Sequence, residues 1–130
     1  WLGYGSCFKS WTLVLADRTS VYIQQFLDKK IGQIQLREDI WDKIYNYKLP
    51  VILLSGCYQD LLQAFLGRIN RVGVFEQVIG CTMKNHFVVN QHPYGRSKCK
   101  FINTNNFNIG IANERSDHYY LDMCDMAEYV

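Results

Sequence analysis

The stretch VILLSGCY, residues 51–58, decides the fold that we expect for this chain. Its first four residues are apolar without interruption, and Pro50 before them and Gly56 after them are turn residues. A short apolar run between turn residues is typical of a strand that is buried on both faces, as in a parallel sheet. The stretch therefore predicts a buried strand over residues 51–54, with the hydroxyl of Ser55 at its end.

The segments on both sides of this strand have the periodicity of helices. Before the strand, apolar residues recur at steps of four, four and three: Leu36, Ile40, Ile44 and Tyr47. After the strand, apolar residues share one side of a second segment: Leu61, Leu62, Phe65, Leu66 and Ile69. These patterns predict an amphipathic helix over residues 35–47 that ends before Pro50, and a second helix that ends near residues 70–73.

The remaining segments continue the alternation of strands and helices. They predict two short helices within 1–31, broken near 17–20; an apolar run over 74–80; a hairpin over 81–93; a short helix over 95–105; a buried strand over 108–112; a helix over 116–126; and the start of a strand at 128–130. Such alternation indicates a layered α/β fold with a parallel sheet.

The composition indicates a globular domain and argues against both nucleic-acid binding and a membrane span. The chain has 130 residues, enough for one ordinary domain, and is 48% hydrophobic and 20% charged. Its formal net charge of +2 and the lack of any basic run argue against nucleic-acid binding. No segment approaches the roughly 18 apolar residues of a membrane span. We therefore expect neither a nucleic-acid partner nor a membrane span.

The cysteines are odd in number and far apart, without a Cys-x-x-Cys pair: Cys7, Cys57, Cys81, Cys99 and Cys124. This spacing argues against a zinc–thiolate site. We expect free thiols packed as small hydrophobic side chains in a reducing compartment, which predicts a cytoplasmic location.

Polar groups follow the first buried strand at the place where open parallel sheets bind ligands, the carboxyl ends of the strands. Ser55 supplies a hydroxyl and Gly56 an accessible amide, and we expect the next helix to begin at about Tyr58. These groups and the free N–H groups of a helix N-terminus suit a bound anion. The alternative is that Ser55 only caps the helix and Gly56 only makes the turn.

Two other segments carry charged groups that suit the same crevice. The strand over 108–112 runs into Asn113 and Asp117, whose oxygens suit a hard cation such as Mg²⁺. Lys98 opens a predicted helix, where its ammonium could neutralise phosphate oxygens. Taken singly, Asp117 is also explained as a helix-capping acid, and Lys98 as a solvated surface lysine.

The order of these pieces resembles the haloacid dehalogenase-like phosphatases, above all the phosphoserine-phosphatase-like branch with a helical cap. The matching motifs are VILLSG (51–56), VFEQVIGC (74–81), YGRSK (94–98) and IGIANERSDHYYL (109–121). The resemblance implies a three-layer α/β core with a Rossmann-like parallel sheet over residues 35–130. Residues 1–34 would then be part of the cap.

The resemblance also implies a reaction and a role for each candidate residue. The reaction is magnesium-dependent hydrolysis of a small or lipid-linked phosphomonoester, in two steps through an aspartyl-phosphate. Ser55 and the Gly56 amide would hold the substrate phosphate, and Lys98 would steady that phosphate and the charge of the nucleophile. Asp117, with Asn113, would orient Mg²⁺ directly or through water.

Two departures from the family's pattern change what we expect. The family's first strand ends in D-x-D-x-T, whereas residues 13–19, LVLADRT, lack the second aspartate, so Asp17 is a poor nucleophile candidate. We expect the nucleophile and its strand upstream of Trp1, and this chain alone to be inactive. Unpaired sheet edges would then make it marginally stable or homo-oligomeric. Asn113 stands in place of an acid, which should lower the affinity for magnesium.

Two alternatives remain open at this point. The chain could be a catalytically inactive haloacid dehalogenase-like domain that binds a phosphorylated ligand or a protein partner, which the missing motif and Asn113 favour. It could also be an unrelated α/β binding domain. A cysteine-based phosphatase fits less well, because Cys57 is not followed by a phosphate loop that ends in arginine.

Overall fold

The structure is a computed structural model that describes residues 20–84 and 88–130. The chain divides into two compact units, one ending at Gln91 and one beginning at His92. The first predicted helix and Asp17 lie outside the described residues.

The first unit contains most of the helices. Its elements are α1 (Ser20–Lys30), a 3-10 helix (Ile31–Gln33), α2 (Glu38–Tyr47), β1 (Ile52–Tyr58), α3 (Gln59–Arg68), a 3-10 helix (Val72–Val74), β2 (Gln77–Lys84) and β3 (Val88–Gln91). The predicted helices over 35–47 and after the first strand are confirmed.

The strands of the first unit form a sheet in the order β1-β2-β3. β1 and β2 are parallel, with α3 as the crossover between them, and β2 and β3 are antiparallel. The predicted parallel pairing and the predicted hairpin are therefore both confirmed. The predicted burial of residues 51–54 is wrong: Ile52 is 44% exposed and Leu53 and Leu54 are half-buried, because β1 meets the core only at Cys57 and Tyr58. The β1–β2 ladder pairs Leu54 with Ile79, shifts its register, and resumes where Tyr58 pairs with Cys81.

The core of the first unit lies between α1, α3 and the end of β1. Its buried side chains are Ile23, Leu27, Cys57, Tyr58, Leu61, Leu62 and Phe65. The members from each helix recur at steps of three and four residues, so each helix buries one face. The cap predicted over residues 1–34 stays a prediction.

The second unit is smaller and has two strands. Its elements are a 3-10 helix (Gly95–Phe101), β4 (Ile109–Ala112), a 3-10 helix (Arg115–Asp117), α4 (His118–Leu121) and β5 (Met126–Tyr129). β4 and β5 are parallel. The buried centre of this unit is formed by Ala112, Tyr120 and Leu121, with Cys99, Ile102 and Cys124 packed against it.

Some element boundaries differ from the predictions. The helix predicted over 116–126 is reduced to four residues, because β5 already begins at Met126. The backbone N–H groups of Asp125 and Met126 donate to the carbonyl oxygen of Asn108, so the strand pair takes the hydrogen bonds that a longer helix would need. The helix predicted over 95–105 is a 3-10 helix that ends at Phe101.

The observed class is therefore mixed α/β, with a parallel strand pair in each unit. None of the helices in the described part of the chain has the length and apolar character that crossing a membrane requires.

Gly80 marks a close approach between β2 and the start of α3. A Cβ added at Gly80 would lie 2.7 Å from Gln59 Cα and 2.8 Å from the Cys57 carbonyl oxygen. Because both atoms belong to the backbone, we expect Gly80→Ala to lower the free energy of unfolding by about 1–3 kcal/mol. Gly67→Ala in α3 meets nothing within 4 Å and should be neutral or slightly stabilising. Urea titrations of both variants test this, and equal midpoints would contradict it.

Candidate functional site

Two of the predicted site residues meet in the interior of the second unit. Lys98 Nζ donates a hydrogen bond to Asp117 Oδ1 at 2.6 Å, although the two residues are 19 positions apart. Their side chains are only 7% and 2% exposed. Buried charges persist in proteins when they are paired. We call this contact the buried ion pair.

The turn before Lys98 directs its side chain inward. Gly95 has a φ of 51°, a left-handed conformation that glycine adopts without a Cβ penalty. The Tyr94 N–H donates to Ser97 Oγ at 2.8 Å, and the Ser97 N–H donates to the Tyr94 carbonyl oxygen at 3.1 Å. A Cβ on Gly95 would stand 3.7 Å from the Ser116 carbonyl oxygen. This first turn therefore lies beside the segment that carries Asp117.

Asp117 follows β4 on a tight turn. Its N–H donates to the Glu114 carbonyl oxygen at 3.0 Å, and Ser116 Oγ donates to Glu114 Oε2 at 3.2 Å. Asp117 precedes α4, but its side chain makes no capping hydrogen bond. The two simpler explanations from the sequence are thus wrong: Asp117 does not cap α4, and Lys98 is not a surface lysine.

Tyr120 covers the buried ion pair. The centre of its ring is 5.4 Å from Lys98 Nζ, within the range of a cation–π interaction. Its hydroxyl donates to the Ile111 carbonyl oxygen on β4 at 2.8 Å. Burial, followed by the negative charge of Asp117, raises the pKa of Tyr120 well above its ordinary value. Nothing in the stretch HYYL (118–121) distinguishes a ring that faces an ammonium from an ordinary core side chain, so the sequence alone does not indicate Tyr120.

The raised pKa of Tyr120 predicts a loss of stability at alkaline pH. Above a pH of about 10 the tyrosine ionises in the unfolded chain but stays protonated in the folded one, so the unfolded state binds fewer protons. The free energy of unfolding should then fall by up to about 1.4 kcal/mol per pH unit. Tyr120→Phe should show a shallower slope in urea titrations above that pH. Identical slopes would contradict the prediction.

Ser55 lies inside β1, not at its end as predicted, because β1 continues to Tyr58. It lies where the β1–β2 register shifts, and its Oγ accepts a hydrogen bond from the Cys57 N–H at 3.1 Å. This local bond is of the kind that serine makes with nearby backbone. Ser55 does not cap α3 either, since α3 has no side-chain cap.

Ser55 and Gly56 belong to the first unit and are half-buried, whereas Lys98 and Asp117 belong to the second unit. The predicted convergence of these residues around one phosphate stays a prediction. What the structure brings together is the buried ion pair.

The described residues do not fit a magnesium site by themselves. Among residues 20–84 and 88–130, no group of three or more His, Cys, Asp or Glu side chains is arranged to hold a metal ion. Asp117 directs one oxygen to Lys98, and Asn113 is exposed and uncharged. Mg²⁺ prefers six oxygen ligands in near-octahedral geometry, so further oxygens would have to come from water, substrate or other residues.

Cys81, Cys99 and Cys124 are free thiols, as predicted, and Cys57 is buried in the core of the first unit. Burial raises the pKa of the Cys81 and Cys124 thiols, which lowers their reactivity at neutral pH. Cys7 lies outside the described residues.

Comparisons of this chain with protein-family models, with curated proteins and with solved structures find no match.

Proposed function

We propose that this chain is part of a magnesium-dependent haloacid dehalogenase-like phosphatase that hydrolyses a small or lipid-linked phosphomonoester. The observation that carries the proposal is the buried ion pair, with Lys98 Nζ at 2.6 Å from Asp117 Oδ1. These residues come from the two motifs to which the resemblance assigns the charged groups of the site.

The ion pair suits the chemistry in a specific way. A lysine ammonium is a compact charge that can face the oxygens of a phosphoryl group, whose negative charge must be neutralised during transfer. Asp117 holds the ammonium in one place before the substrate arrives, so little reorganisation is needed during the reaction. Within the second unit, Lys98 is the residue that we propose to contact the phosphate, and the phosphate-binding role of Ser55 and Gly56 stays a prediction.

The strand pairs of the two units support the fold that the resemblance implies. A parallel β-α-β arrangement in the first unit and a second parallel pair in the other are both consistent with a three-layer Rossmann-like core. The aspartate nucleophile that this reaction requires would lie outside the motifs that this chain matches. Bound magnesium would supply charge neutralisation at the phosphate. Asp117 and Asn113, to which the resemblance assigns it, would need further oxygens to complete its coordination. The free thiols suit a cytoplasmic protein.

Turnover of p-nitrophenyl phosphate by the protein produced from its complete coding sequence tests the proposal. We expect hydrolysis that needs Mg²⁺ and stops with EDTA, whereas the 130-residue chain alone should be inactive. Hydrolysis that persists in EDTA, or no hydrolysis of any small or lipid phosphomonoester by the folded full-length protein, would contradict the proposal.

A second candidate function is binding without catalysis. It is favoured by Asn113, which is exposed and brings no charge, and by the engagement of Asp117 with Lys98. Isothermal titration of the 130-residue chain with inorganic phosphate distinguishes the two. Phosphate binding without magnesium, combined with an inactive full-length protein, supports the binding domain.

A further inference from the structure

The ammonium of Lys98 lies close to two groups of the second unit. Asp117 Oδ1 accepts its hydrogen bond at 2.6 Å, the ring of Tyr120 lies 5.4 Å from it, and the side chain as a whole is 7% exposed. A flexible lysine side chain has large rotamer freedom, so holding it at one point requires contacts that favour one conformer.

Tyr120 is itself fixed at both ends. Its hydroxyl donates to the Ile111 carbonyl oxygen on β4, and its own carbonyl oxygen accepts a hydrogen bond from Cys124 Sγ at 3.3 Å. The residue is 7% exposed. The hydrogen bond to Ile111 therefore fixes the Tyr120 ring relative to β4, and the Lys98 ammonium packs against this ring.

We infer that Tyr120 is a positioning residue, whose ring, anchored by its hydroxyl to β4, holds the Lys98 ammonium on Asp117 and keeps water from it. The catalytic consequence of this inference rests on the proposed function. There, Tyr120 touches neither phosphate nor nucleophile and acts through Lys98 alone. The face of the Tyr120 ring shields the Lys98 ammonium from water, and the hydrogen bond of the Tyr120 hydroxyl fixes the position of the ring.

The first test measures hydrogen exchange of the lysine ammonium protons by NMR in the 130-residue chain. The Lys98 ammonium should exchange slowly in the wild type, whereas Lys100, which is exposed on the same 3-10 helix, serves as the internal control. Tyr120→Leu should speed exchange at Lys98 about tenfold, and Tyr120→Phe, which keeps the ring, about threefold. Exchange at Lys98 that is unchanged in either folded variant would overturn the inference. If Tyr120→Leu does not fold, Tyr120→Phe decides.

The second test uses the full-length protein with p-nitrophenyl phosphate. Tyr120→Leu should lower kcat about tenfold with little change in KM. Without the ring, the Lys98 ammonium is no longer held in position, and its charge stabilises the transition state more than the bound substrate. Tyr120→Phe should restore kcat to within about threefold of the wild type. Equal losses in both variants, or a loss confined to KM, would overturn the positioning role. A wild-type protein without turnover would overturn the phosphatase instead, and the exchange rates would still decide the role of Tyr120.

Discussion

Removing one partner of the buried ion pair should be among the most damaging substitutions in this chain. We expect Lys98→Met and Asp117→Val each to lower the free energy of unfolding by about 3–5 kcal/mol, because each leaves an uncompensated buried charge. The partners are 7% and 2% exposed, so water cannot replace the lost contact. Urea titrations followed by circular dichroism give the midpoints.

The double variant separates the charge effect from the loss of packing. Lys98→Met with Asp117→Val leaves no buried charge, and we expect it to recover most of the stability, since apolar replacement of a buried pair is often neutral. The control pair is Arg37 and Asp39, which have the same 2.6 Å separation but are 44% and 62% exposed. Breaking that pair should not shift the midpoint measurably. Single variants as stable as the wild type would show that Lys98 and Asp117 are not paired in solution.

Loss of the Lys98 charge should also abolish most of the proposed activity. In the full-length protein, Lys98→Met should lower kcat/KM for p-nitrophenyl phosphate by about 10²–10³-fold, the usual effect of removing one preorganised group that stabilises transition-state charge. Lys98→Arg keeps the charge but changes its shape and reach, so we expect an intermediate loss. Rates are compared well below the unfolding temperature of each variant.

Lys100→Met is the matched control for this measurement. It removes the same charge from the same 3-10 helix at an exposed position, so kcat/KM should stay close to that of the wild type. An active Lys98→Met protein would exclude Lys98 from the chemistry and leave the ion pair with a purely structural role.

Local patterns predicted the elements whose side chains show regular burial. The spacing of Leu61, Phe65 and their neighbours places one face of α3 in the core, and α3 forms over the predicted residues. The apolar run after Pro50 forms β1, which pairs in parallel with β2. The helix prediction succeeds because burial of one face leaves a direct record in the order of apolar and polar residues. The apolar run does form a parallel strand, but the burial predicted for it is wrong, since Ile52 is 44% exposed.

Boundaries were predicted less well where hydrogen bonds from distant residues decide them. β5 shortens the last helix because Met126 and its neighbours pair with β4. β1 runs past Ser55 because its ladder with β2 resumes at Tyr58 after the register shift. No local pattern contains the position of the partner strand, so the sequence could not indicate these ends.

The sequence by itself determined the mixed α/β class, the main helices and the segments in which charged residues follow strands. It identified Lys98 and Asp117 as candidate residues of one site, Lys98 for the phosphate and Asp117 for the metal, because they follow predicted strands and their motifs occur in a particular order. Only the tertiary structure decided that the two charges are in contact, that both are buried, and that Tyr120 covers them. The physical reason is that these properties depend on how the 3-10 helix, β4 and α4 pack together, and side-chain packing between distant segments is not encoded in any single stretch of the chain.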